Sequence, residues 1–157
     1  MIHPQQGAGG KGGEVNMESK NNKVITLTKR EFKDKIFDYS FSKEWKYKGD
    51  KPAVIDFYAD WCGPCKMVAP LLNQLSSEYD GKVKFYKVNT EKDPEVSKVF
   101  GISSIPTLLF IAPTGNPIVV RGAQSISSLR KNIEKILPKL KEEKSFLQNI
   151  FSFIRKN

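Results

Sequence analysis

The chain has 157 residues, with 26 Lys and Arg against 17 Asp and Glu, a formal net charge of +9 and 39% hydrophobic residues. That length suits one domain with extensions and a substantial core, and no apolar run approaches the ~18–20 residues of a membrane span. The bases are interleaved with acids rather than blocked together, so the positive excess reads as a solvated surface that mildly favours acidic protein partners, not as a nucleic-acid interface.

Residues 1–23 are glycine-rich, polar and without periodicity, and read as a disordered leader, a tether or a tag. They contain no apolar core of a cleavable signal peptide, and His3, the single histidine, looks incidental there. Val24–Leu27 reads as a short strand. Thr28 and Glu31 have the spacing of a capping box, and Phe32, Ile36 and Phe37 then share one helix face. Asp38–Asp50 is a long connection whose Trp45 and Tyr47 are expected to cover the sheet edge. Ala53–Ala59 suits a central strand buried on both faces, interrupted by the carboxylate of Asp56. A turn through Trp61-Cys62-Gly63-Pro64-Cys65 leads to a helix from Lys66, with Val68, Leu71, Leu72, Leu75 and Tyr79 as its stripe and Pro70 as an expected kink. A strand over Val83–Val88 follows, then a short helix opened by Asp93-Pro94 and closed by Gly101. Thr107–Ile111 and Ile118–Arg121 read as strands joined by Pro113-Thr114-Gly115-Asn116, and Ser125 starts a last helix carrying Ile126, Leu129, Ile133 and Ile136. This order predicts an α/β fold, a mixed central β-sheet flanked by helices on both faces.

Two thiols in C-x-x-C at a strand-to-helix junction read as a dithiol/disulfide pair, and the helix N-terminus stabilises a thiolate on Cys62. Cys62 is expected to be the more exposed thiol and the nucleophile, with Cys65 buried and resolving. Asp56, alone on an apolar strand, should have a raised pKa and can accept the proton of Cys65 during resolution; a purely structural pairing with a lysine is the competing reading. Two cysteines and one histidine fall short of the roughly four ligands of a structural zinc site, so no metal is expected.

Trp61-Cys62-Gly63-Pro64-Cys65-Lys66 resembles the thioredoxin active-site signature, and the resemblance covers about residues 24–138. Asp56, six residues before Cys62, matches the family's buried carboxylate, and Lys87 matches the lysine beside it. Ile105-Pro106-Thr107 resembles the family's cis-proline loop, and Gly122-Ala123 its second substrate-contacting turn. The resemblance implies a thioredoxin fold, a protein-disulfide reductase cycling its own Cys62–Cys65 pair without a further cofactor, and a cis proline that blocks metal ligation. It also implies a flat apolar patch of Trp61, Gly63, Pro64, Ile105, Pro106, Gly122 and Ala123 for disulfide-bearing protein substrates. Gly63-Pro64 implies a reducing couple, thioredoxin's own figure being about −270 mV. The implied electron donor is a thioredoxin reductase, or a membrane thiol relay if the protein is exported. A cytoplasmic monomer is the expectation, with a periplasmic or otherwise exported form as its alternative. The alternative functions are an exported oxidant or isomerase, and a binding module whose redox pair is secondary.

Residues 139–157 lie beyond the resemblance. Phe146, Leu147, Ile150, Phe151 and Ile154 fall at helical spacing with bases nearby. An amphipathic extension that docks on its own domain or frays into solvent is preferred over one lying on a membrane surface or in a partner's groove.

Overall fold

The structure, a computed structural model, describes residues 23–138 and 148–155. The expected leader over 1–22 therefore lies outside the described residues, as do 139–147 and 156–157. Lys23 already belongs to the folded body, its backbone N–H donating to Ser76 Oγ at 3.3 Å.

In chain order the body contains β1 (Val24–Thr26), α1 (Lys29–Lys35), β2 (Ala53–Tyr58), α2 (Gly63–Glu78), β3 (Lys84–Asn89), α3 (Pro94–Val99), β4 (Thr107–Ile111), β5 (Ile118–Arg121) and α4 (Ile126–Ile136). The strands form one five-stranded sheet in the order β1-β3-β2-β4-β5. β1 and β2 run parallel to β3, whereas β4 is antiparallel to both β2 and β5. The short β4–β5 connection allows that antiparallel pair; the parallel pairs need crossovers, which α1, α2 and the long 38–50 segment supply. The mixed sheet predicted from the element order is the one observed.

Strand periodicity of two sorts the core into two layers. Ala53, Ile55 and Phe57 of β2 join Phe32 from α1, Ile36 at its C-cap and Val96 from α3 on one face. Val54 joins Val68, Leu72 and Leu75 of α2 and Leu129, Ile133 and Ile136 of α4 on the other. Asp56, two residues from Val54, shares this second face. The carboxylate thus points toward the helix that carries the cysteines.

Local chemistry explains the boundaries. Thr28 Oγ1 accepts from Glu31 N–H at 3.2 Å while Glu31 Oε1 accepts from Thr28 N–H at 3.3 Å, so the capping box closes as the spacing predicted. α2 begins earlier than the lysine expected from the pattern: Cys62 is its N-cap, and Gly63, Pro64 and Cys65 form its first turn. Proline suits that turn because its missing N–H would have had no helical partner. Pro70 sits inside α2 without ending it. Trp45 and Tyr47 do not cover a sheet edge. They extend the α1/α3 layer, with Trp45 5.1 Å from Phe37 and 5.8 Å from Phe100, ring centre to ring centre, and Tyr47 stacked on Trp45. The aromatic connection thus joins the two short helices in covering that face.

Candidate active site

Parallel β2 and β3 end at the same edge of the sheet, and β2 runs directly into the N-terminus of α2. The site lies at that junction. Cys62 and Cys65 are joined as a disulfide. Cys65 N–H points at Cys62 Sγ, 3.2 Å away, so the capping sulfur sits on the free N–H groups and positive end of α2. This geometry favours negative charge on Cys62 when the pair is reduced.

In the disulfide Cys62 and Cys65 are buried to a similar degree, 3% and 4% accessible, rather than one being clearly exposed. The reason is local packing. Ala59 and both cysteines form one cluster against Tyr58 and Ile105, and Cys62 Sγ lies 3.8 Å from the carbonyl oxygen of Ile105.

Ile105-Pro106 is a cis peptide. Pro106 is buried, and its carbonyl accepts from Gly122 N–H at 2.8 Å. Gly122 has φ of +87°, a conformation that disfavours a side chain. That bond ties the β5–α4 turn to the proline loop. Ala123 follows it, exposed. On the other side Gly63, Pro64 and Trp61 are exposed, Trp61 by 66%.

Behind the disulfide, Asp56, Tyr58, Ala59, Asp60, Cys65, Lys66, Ala69 and Lys87 line a cavity of about 180 Å³. Asp56 is 4% accessible, and its Oδ1 is buried without a hydrogen-bond partner among the described residues. Burial pushes its pKa from 3.8 up to about 7, against the opposing pull of the Lys87 charge. Lys87 stands opposite Asp56 in the β2–β3 register. Its Nζ lies 5.4 Å from the centre of the Tyr58 ring, and it acts on Asp56 as a charge across the cavity rather than as a direct ion pair. The cavity has room for water beside both Asp56 and Cys65, a path by which a proton can move between them.

The sequence reading missed Glu91. In the turn after β3, its carboxylate accepts a hydrogen bond from the indole N–H of Trp61. Glu91 is itself held there, because its backbone N–H donates to Asn89 Oδ1 at 3.0 Å. Topology carried the clue: parallel neighbours end together, so an acid just past β3 faces the loop just past β2. Among the described residues no cluster of His, Cys, Asp and Glu could hold a metal ion.

A disulfide capping a helix, a cis proline across from it and a buried carboxylate behind it define a thiol–disulfide oxidoreductase site on an α/β fold. The family model described as Thioredoxin matches residues 23–135. The chain is 50% identical over 99 residues to a thioredoxin of Borreliella burgdorferi, covering 63% of this chain and 85% of that protein. It is 40% identical over 102 residues to thioredoxin 1 of a Nostoc species, covering 65% of this chain and 94% of that one. With an M-type chloroplastic thioredoxin of Brassica napus it shares 41% over 90 residues, and there it spans only 51% of the relative. Among solved structures, a chloroplastic thioredoxin z superposes with a TM-score of 0.62 at 26% identity, covering 73% of this chain and 94% of that one. The chain belongs to the thioredoxin family. It is a thioredoxin-type protein-disulfide reductase whose redox group is its own cysteine pair.

Proposed function

We propose that Cys62 is the nucleophile and Cys65 the resolving thiol of this reductase. The observation that carries the assignment is the position of Cys62 Sγ as the cap of α2, receiving the Cys65 N–H. In the reduced protein the Cys62 thiolate attacks a substrate disulfide; one S–S bond forms, one breaks, and a substrate thiolate leaves. Asp56, ionised, takes the proton of Cys65 through the cavity. The Cys65 thiolate attacks Cys62 Sγ, the Cys62–Cys65 bond forms, and the second substrate sulfur leaves. Two electrons have moved to the substrate. Lys87 holds the Asp56 pKa below the value that burial alone would set.

Trp61, Gly63, Pro64, Ile105, Pro106, Gly122 and Ala123 form the docking surface. The surface contacts backbone and apolar groups, so the substrates are disulfide-bearing proteins of broad sequence. No dissociable cofactor or metal takes part, because every electron travels through the two sulfurs. The donor is a thioredoxin reductase, and the protein works as a monomer on residues 24–138, in a cytoplasm, without nucleic acid. A membrane thiol relay replaces that donor if the protein is exported.

Cys65→Ser tests the assignment. This variant should accumulate a mixed disulfide between Cys62 and a substrate protein, seen as a shifted band on a non-reducing gel and by mass. Trapping through Cys65 in a Cys62→Ser variant, with none in Cys65→Ser, would reverse the roles.

A further inference from the structure

Residues 148–155 form a helix outside the 23–135 span that the family model matches. At 100° per residue Ile150, Phe151, Phe153 and Ile154 fall in one arc of roughly 160°, with Gln148, Asn149, Ser152 and Arg155 opposite. Every described residue of this helix is exposed. Phe151, Phe153 and Ile154 are 63%, 70% and 62% accessible, whereas Leu129, Ile133 and Ile136 of α4 are at most 2%. Helices that pack on this domain bury their stripe, and this one does not. The sequence reading preferred docking on its own domain or fraying into solvent, and the exposed arc shows no packing of the first kind among the described residues.

Charge selects the occupant. Arg155 stands on the polar arc, and the extension 139–157 adds Lys139, Lys141, Lys144 and Lys156 against Glu142 and Glu143, on a chain of net charge +9. An anionic lipid surface attracts such an excess while its acyl chains take up the phenylalanines. Among the described residues no helix is long and apolar enough to cross a membrane. We propose that helix 148–155 rests on an anionic phospholipid surface, with Ile150, Phe151, Phe153 and Ile154 turned into the acyl boundary and Arg155 among the phosphates. The contact is reversible, and it concentrates the reductase at the membrane without touching its active site.

The test is co-sedimentation of the full chain with vesicles of phosphatidylglycerol and phosphatidylcholine in equal parts, and with phosphatidylcholine alone. Partitioning onto the anionic vesicles should be at least about five-fold stronger, the effect of one basic residue at such a surface, and should weaken with added salt. The double variant Phe151→Asp, Ile154→Asp should lose about ten-fold or more, while its thermal midpoint and its rate of disulfide reduction in solution stay unchanged. Equal partitioning of wild type and variant, or equal binding to both vesicles, overturns the proposal. So does a lipid-free dimer, detected by light scattering, that the double variant abolishes, because the apolar arc would then be a self-association surface.

Discussion

Asp56→Asn separates what the buried carboxylate does for the fold from what it does for the reaction. Burial raises the Asp56 pKa from 3.8 to about 7. Below about pH 4 the group is protonated whether the chain is folded or unfolded, and proton binding then favours the fold by its full amount. As the pH rises, the unfolded chain releases the proton first, and that stabilisation is lost progressively until about pH 7. The whole shift, at 1.36 kcal/mol per tenfold change in proton affinity, amounts to about 4 kcal/mol. Asparagine stays neutral throughout. The variant and the wild type should therefore be equally stable near pH 4, and the variant should lead by about 4 kcal/mol above pH 7. Guanidinium unfolding of the oxidised proteins, repeated across this range, measures the difference directly. A stability gap that does not change with pH would refute the reasoning, because it would mean that Asp56 ionises in the folded protein as it does in water.

The same substitution has a kinetic consequence of opposite sign. Wild-type reduction of a disulfide-bonded protein such as insulin should accelerate as the pH rises through about 7, where Asp56 becomes a base, and Asp56→Asn should be slower with that inflection gone. Glu91→Gln should free the indole of Trp61 from its charged acceptor. Tryptophan emission should shift in the oxidised protein, and substrate KM should rise with little change in kcat; a kcat effect alone would place Glu91 in the chemistry instead of the docking surface.

The chain's chemistry was legible wherever one local pattern carried it. C-x-x-C at the end of an apolar run placed the dithiol, and a lone carboxylate inside that run marked Asp56 as unusual because burying it costs so much. Strand alternation and the capping residues Thr28 and Ser125 set most boundaries, and β4, β5 and α4 begin where their patterns begin. What stayed hidden depends on contacts across the fold. Glu91 meets Trp61 only because β3 lies beside β2, and no feature within either segment announces that bond. Cys62 loses its exposure to the carbonyl and side chain of Ile105, 43 residues away in sequence. Trp45 and Tyr47 signalled cover of some kind, but which surface they cover depends on contacts with Phe37 and the distant Phe100.

The central claim is that the Cys62–Cys65 pair delivers electrons to substrates, and its equilibrium reduction potential tests that claim most directly. Titration against dithiothreitol or glutathione, read by mass after thiol trapping, should give a value close to thioredoxin's own, about −270 mV. A value toward about −180 mV or higher, the range of isomerases and oxidants, would contradict it.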